Sequence, residues 1–190
     1  SQSRRPYPAV GGITATKSPV GGSTYHAVQS RFERRLSKGL SFQGAYTFSK
    51  SIDNVSVGNP QDNYNLRAEK SPSLFDITHN LAYSVVYQLP FGKGRQMLSR
   101  GGIAGLILGG WNFGVLSSLR TGNPLSLGTI TNLTGSMGGG SRPNRLGNGV
   151  LPGGERDRLR WFDASAFALP QPFTFGNDSA TQPSLRAPGQ

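Results

Sequence analysis

The sequence predicts an all-β chain, an open and curved antiparallel sheet of long strands that forms part of a transmembrane β-barrel. Side-chain polarity alternates with a period of two over four segments, and each segment is at least as long as the roughly 9 to 11 residues that a tilted strand needs to cross a bilayer. The strands are expected at about 25–36, 40–50, 76–89 and 111–127. Short and long connections alternate between them, and aromatic residues lie near their ends, as in outer-membrane barrels.

The strand at 76–89 has the clearest pattern and organises the rest of the chain. One face carries His79 and the apolar residues Ile77, Leu81, Tyr83, Val85, Tyr87 and Leu89. The opposite face carries Thr78, Asn80, Ala82, Ser84, Val86 and Gln88. A helix would need apolar residues at i, i+3, i+4 and i+7, which fits this segment less well.

The two preceding strands are predicted to form a hairpin. Residues 37–39 read Ser-Lys-Gly, and Gly39 can adopt the positive φ that a tight turn requires. In the second strand, one face is apolar and the other is small and neutral. The apolar face consists of Leu40, Phe42, Gly44, Tyr46 and Phe48.

Two long loops separate or follow the strands. Residues 51–74 are rich in Asp, Asn, Gly and Pro, and residues 128–183 are mostly loop by composition. Within the second loop, residues 163–168 could form one helical turn, because Asp163 is a suitable N-cap. A short strand near residues 12–17 is also expected. In the last strand, Gly122 and Pro124 suggest a bend or an edge.

Composition excludes several classes of protein. The 190 residues include 27 glycines, 13 prolines and no cysteine, so disulfide scaffolds and thiolate metal sites are excluded. The net charge of +11 comes from basic residues spread along the chain without a nucleic-acid-binding motif, so no nucleic-acid partner is expected. No apolar run is long enough for a membrane helix. The first residues contain no signal peptide, which suggests that the chain is a fragment.

No catalytic constellation is present, and we expect no enzyme, no cofactor and no metal. His26 and His79 lie within strands, and His79 is expected to be an interfacial or groove-facing residue rather than a ligand. The loop at 51–74 and its flanks could offer calcium-binding oxygens, but their spacing matches no EF-hand. We therefore expect these residues to form a solvated loop rather than a calcium site. These oxygens belong to Asp53, Asn54, Asn59, Asp62, Asn63 and Asp76.

The residue pattern leaves two function classes open. Alternation with one apolar face is also found in soluble sandwiches, whose apolar faces pack inward. The first class is an outer-membrane barrel segment. The second is a soluble or surface β-sheet module that binds carbohydrate or another partner through Trp111, Trp161 and neighbouring aromatic residues.

A succession of short motifs resembles the barrel region of TonB-dependent receptors of the Oar-like group. The motifs cover the chain from residue 21 onward, and their order and spacing are specific. They read GGSTYHAVQSRFERRLSKGLSFQGAYTFSKSID, NLRAEKSPSLFDITHNLAYSVVYQLPFGKGR, GGWNFGVLSSLRTGNPL, SRPNRLGN, WFDASAFALP, FGN and SLRAPG.

The resemblance implies a large barrel in the outer membrane of a Gram-negative bacterium, with a plug domain inside, energised through TonB to import a ligand. The expected partners are outer-membrane lipid and lipopolysaccharide, the plug of the same protein and, through the plug, TonB. This chain would be a fragment that lacks the plug and the last strands. The sequence does not name the ligand.

The strand pattern also predicts how the chain meets the membrane. The apolar faces of 40–48 and 77–89 should point to lipid, with loops 51–74 and 128–183 outside the cell and turn 37–39 in the periplasm. The 190 residues alone are expected to form an open sheet with long disordered loops.

Overall fold

The computed structural model describes residues 19–92, 94–97, 102–135 and 140–189. The long strands are β1 (Ser23–Ser37), β2 (Leu40–Asp53), β4 (His79–Gln88) and β5 (Asn112–Arg120), and the short ones are β3 (Ser71–Pro72), β6 (Asn144–Arg145) and β7 (Phe167–Ala168). One short helix, α1 (Ile103–Leu108), and 3₁₀ turns at Leu66–Glu69, Gly153–Glu155 and Ala164–Ala166 complete the elements of the described residues.

The four long strands form one antiparallel sheet in the order β1, β2, β4, β5, and β3 pairs with the end of β2. β6 and β7 form a separate two-stranded sheet. In the large sheet β1 and β5 are the outer strands, so the sheet is open, and the all-β fold class is confirmed.

The turn between β1 and β2 depends on two residues with positive φ. Lys38 has φ 50° and Gly39 has φ 83°, the combination of a type I′ hairpin turn. A Cβ on Gly39 would lie 2.7 Å from the carbonyl oxygen of Gln88, so only glycine fits. The predicted role of Gly39 is therefore confirmed.

The strand register places the apolar sides of all four strands on one face. Directly opposed residues share a face of a sheet, so the predicted grouping within β2 and within β4 is confirmed. The pairs on this face include Val28 with Phe48, Phe48 with His79, Tyr46 with Leu81, Phe42 with Val85, Val85 with Val115, and Tyr87 with Phe113.

Strand β4 begins at His79, three residues later than the predicted start at residue 76. Asp76 accepts a hydrogen bond from the backbone N–H of Ser51 at 2.6 Å through its side chain, and its own N–H donates to the carbonyl of Ser73. These contacts replace regular pairing and turn the chain before His79. Conversely, β2 continues to Asp53, beyond the predicted end at residue 50.

Strand β5 ends at Arg120, so its predicted extension to residue 127 is wrong. The N–H of Thr121 still donates to His79, but from Asn123 the backbone bonds go to the segment 182–187: the N–H of Leu125 donates to Leu185, and that of Ala187 donates to Asn123. Pro124 has no N–H for a regular ladder. The chain approaches so closely that a Cβ on Gly122 would lie 1.8 Å from the carbonyl oxygen of Ala187.

The long loops meet at one end of the sheet. We call the described residues of segments 54–78 and 121–189 the loop assembly. Segment 54–78 connects β2 to β4 and segment 121–189 follows β5, so both lie at the end of the sheet opposite turn 38–39. Their buried hydrogen bonds contradict the prediction of disordered loops for the described residues. The predicted helical turn exists at Ala164–Ala166, and the predicted strand near 12–17 lies outside the described residues.

Candidate functional site

The apolar face of the sheet is exposed along its length. We call it the apolar belt, and in β1 and β5 its side chains remain half to two-thirds exposed, with Val28 at 66%, Phe32 at 62% and Val115 at 53%. No second layer formed by the described residues covers them. The belt consists of Val28, Phe32, Phe42, Tyr46, Phe48, Leu81, Tyr83, Val85, Tyr87, Phe113, Val115 and Leu119.

Aromatic residues mark both ends of the belt. At the loop end, the Tyr46 hydroxyl lies 2.7 Å from His79 Nδ1, and the rings of Phe48 and His79 are 5.2 Å apart. At the other end, Tyr87 pairs with Phe113. From His79 to Tyr87 the strand rises roughly 27 Å, or about 20 Å along the normal at a tilt of about 40°. This height is close to the apolar band of an outer-membrane barrel.

The opposite face of the sheet is polar and small. Across the strands, Gln43 pairs with Ser84, Thr47 with Asn80, and Ala82 with Ser118. Val86 and Leu116 are larger apolar residues on this face, and Leu116 is 85% exposed. Such a face fits the polar interior of a barrel, in which lumen-facing and lipid-facing residues alternate along each strand.

A buried ion pair joins the two halves of the loop assembly. The Arg142 guanidinium donates to both oxygens of Glu69 at 3.0 and 3.1 Å, and both side chains are at least nine-tenths buried. Gln61 donates its N–H to Glu69 and its side-chain amide to the carbonyl of Gly176, while its side-chain oxygen accepts from the N–H of Arg142. The planar guanidinium fixes its partner in two hydrogen bonds, which holds the loops in one geometry.

A second ion pair fastens the loop assembly to the sheet. Arg186 Nη2 lies 2.6 Å from Asp76 Oδ2, and Nη1 donates to the backbone carbonyls of Asp76 and Gly122. Because Asp76 also accepts from the Ser51 N–H, one carboxylate connects β2, the start of β4 and the segment beyond β5.

The 3₁₀ turn at Ala164–Ala166 is capped as the sequence predicted. The Asp163 carboxylate accepts from the side chain and the backbone N–H of Ser165. These hydrogen bonds, assisted by the charge of Arg160, hold the pKa of Asp163 below its ordinary value. The cap therefore keeps its charge at neutral pH.

The acidic residues that could have offered calcium ligands each bind a different partner. Asp53 accepts from the N–H groups of Val55 and Ser56, Asp62 accepts from Tyr64, and Asp76 binds Arg186. Among the described residues, no group of three or more His, Asp or Glu side chains is placed to hold a metal ion. Within the same ranges no helix is long and apolar enough to span a membrane.

The two tryptophans of the alternative binding-module interpretation do not share a surface. Trp111 precedes β5 at the end where β4 finishes, and its backbone carbonyl accepts from Leu89. Trp161 lies at the loop end, where its indole N–H donates to the carbonyl of Arg186 at 2.6 Å. The length of β5 separates them.

Sequence reasoning missed both ion pairs: the network of Gln61, Glu69 and Arg142, and the separate pair of Asp76 and Arg186. The ion-pair partners are 73 and 110 positions apart in the chain, so no local pattern reveals them. A signal did exist, because Glu69, Asp76, Arg142 and Arg186 all lie within the short motifs that carry the resemblance.

Comparison with known proteins gives one clear result. A family model described as an outer membrane beta barrel domain matches residues 1–190. No curated protein and no solved structure matches the chain. The match covers the full length, and it agrees with long strands that carry an apolar belt between aromatic ends. The chain therefore belongs to the outer membrane beta barrel domain family, and its location is the outer membrane.

Proposed function

We propose that this chain is part of the barrel of a TonB-dependent receptor of the Oar-like group, which takes up a ligand across the outer membrane. The order and spacing of the short motifs from residue 21 onward support this assignment. In this proposal the apolar belt faces lipid, the polar face lines the lumen, and the plug of the same protein receives energy through TonB. The chain itself performs no enzymatic reaction and binds no nucleic acid.

The observation that carries the proposal is the packing of the loop assembly. A protein that only anchors in the membrane needs short, solvated loops, whereas a receptor needs a shaped surface at the outer end of its barrel. Here the buried Glu69–Arg142 pair and the Asp76–Arg186 pair hold loop segments in a fixed geometry at the strand ends. Breaking one partner of a buried pair is strongly destabilising, so each intact pair holds its loop in one conformation, and a fixed outer surface is what ligand recognition requires.

Site-specific cross-linking to TonB tests the proposal. The full-length protein should be expressed in cells with a photoreactive amino acid placed along its amino-terminal region, and TonB adducts should be sought. Adducts confined to one short segment are expected, and they should disappear when that segment is deleted. An outer-membrane protein that is correctly assembled but forms no TonB adduct at any position would contradict energised uptake while leaving the barrel assignment intact.

A further inference from the structure

An open groove of about 820 Å³ lies where the apolar belt meets the loop assembly. Its floor comes from the belt, through Tyr46, Leu81 and Leu119 together with His79. Its wall comes from the loop assembly, chiefly Arg156, Trp161, Ser184 and Arg186. The groove is thus apolar on the side of the strands and polar on the side of the loops.

The groove is electropositive. Its lining includes the cations Arg156 and Arg186 but no Asp or Glu, while Arg120 borders it from a position opposite Asn80, on the polar face of the sheet. Arg186 is already paired with Asp76. Arg156 uses its Nε–H to donate to the carbonyl of Leu151 at 2.8 Å and lies 5.9 Å from the centre of the Trp161 ring. These contacts hold the guanidinium in place and leave its terminal N–H groups without a protein acceptor among the described residues.

The position of the groove along the strands specifies what can enter it. Tyr46 and His79 belong to the aromatic end of the belt, where the interface between headgroups and acyl chains is expected. Leu81 and Leu119 lie one step further toward the middle of the strands. An occupant therefore needs an apolar part at the level of Leu81 and an anionic part at the level of Arg156.

We propose that the groove binds a phosphorylated glycolipid of the outer leaflet, the lipid A part of lipopolysaccharide. Arg156 donates to a phosphate oxygen, since a guanidinium matches phosphate geometry in two hydrogen bonds. The acyl chains lie against Leu81 and Leu119, and the hydroxyl of Ser184 and the ring of Trp161 border the sugar. This inference requires that the belt faces lipid with the loop end outward, but it is independent of TonB-dependent uptake.

Binding of purified lipid A to the full-length protein in detergent micelles tests the inference, with native mass spectrometry as the readout. The unmodified protein should retain diphosphoryl lipid A more strongly than dephosphorylated lipid A or phosphatidylglycerol. The change Arg156→Ala should weaken diphosphoryl lipid A binding by about tenfold, as expected for one lost charge-assisted contact.

Arg158→Ala is the matched control, because Arg158 lies on the same exposed loop but does not line the groove. This variant should bind lipid A like the unmodified protein. Equal loss in both variants would mean a general charge effect, and equal retention in both would mean that Arg156 takes no part; either result overturns the site. Equal binding of phosphatidylglycerol and lipid A would overturn the glycolipid assignment.

Discussion

At the scale of single residues, Asp76 joins parts of the chain that are distant in sequence. It is 2% exposed and meets both the backbone of Ser51 and the guanidinium of Arg186. Removing one member of such a pair leaves the other charge unpaired in a partly desolvated environment. This lowers the free energy of unfolding more than the loss of a surface pair does.

Asp76→Ala should lower the free energy of unfolding of the full-length protein by about 3 kcal/mol. Urea unfolding in detergent micelles, followed by tryptophan fluorescence, measures this change. Glu33→Gln is the control, because the Arg31–Glu33 pair is exposed and should contribute less than about 1 kcal/mol. Similar losses in the two variants would contradict a structural role for the buried pair.

Gly122 provides a second test at this scale. A Cβ there would overlap the carbonyl oxygen of Ala187, whereas a Cβ on Gly114 in β5 would meet nothing within 4 Å. Gly122→Ala should therefore displace segment 185–187 and raise its sensitivity to a protease added to whole cells, while Gly114→Ala should not. Unchanged protection of Gly122→Ala would show that this close approach is dispensable.

At the scale of the strands, the alternation of side chains gives each strand one face that should exclude charged residues and one that should accept them. Val85 lies on the apolar belt between Phe42 and Val115, whereas its neighbour Ser84 lies on the polar face between Gln43 and Leu116. Adjacent residues in the same strand therefore sample different surroundings, which makes them a matched pair.

Val85→Arg should cost about 2 to 4 kcal/mol if it enters the bilayer near its midplane, and Ser84→Arg much less. The folded fraction of each full-length variant can be measured from its heat-modifiable migration in gel electrophoresis. Equal folded yields would contradict the assignment of the belt to lipid.

The connections between strands make a separate prediction about topology. The 38–39 turn lies at one end of the sheet, and the loop assembly, which includes Gly58, lies at the other. Outer-membrane barrels place long loops outside and short turns in the periplasm. An epitope tag at Gly58 should be labelled on intact cells and one at Lys38 only after permeabilisation, and the reverse pattern would invert the topology.

At the scale of the whole molecule, the described residues lack an apolar core beneath the sheet. Apart from glycine and proline, their buried apolar side chains are Leu151, Ala180 and Leu185, all in the loop assembly. The belt is left exposed, and β1 and β5 present open edges. Unpaired backbone groups at such edges are costly in hydrocarbon, and an uncovered apolar face promotes association in water.

The 190 residues expressed alone should therefore form inclusion bodies or heterogeneous oligomers. Size-exclusion chromatography without detergent, followed by thermal unfolding, measures this. A monodisperse monomer with a cooperative transition would contradict the barrel-segment interpretation. The full-length protein in detergent is the control and should elute as one species.

The sequence by itself determined the features that depend on near neighbours. Alternation in 40–50 and 76–89 assigned each side chain to a face, because the period of two is a local property of an extended backbone. Gly39 marked the hairpin turn and Asp163 marked a capped turn for the same reason, since each acts within a few residues. These local signals were enough for an all-β chain with long strands.

Only the tertiary structure decided where the strands end and how the loops are held. Strand β4 starts at His79 because Asp76 binds Ser51 and Arg186, and β5 stops at Arg120 because residues 123–125 bond to segment 182–187. The Glu69–Arg142 pair and the groove beside Arg156 likewise bring together residues far apart in the chain. Such contacts depend on the path of the chain through space, which no local periodicity encodes.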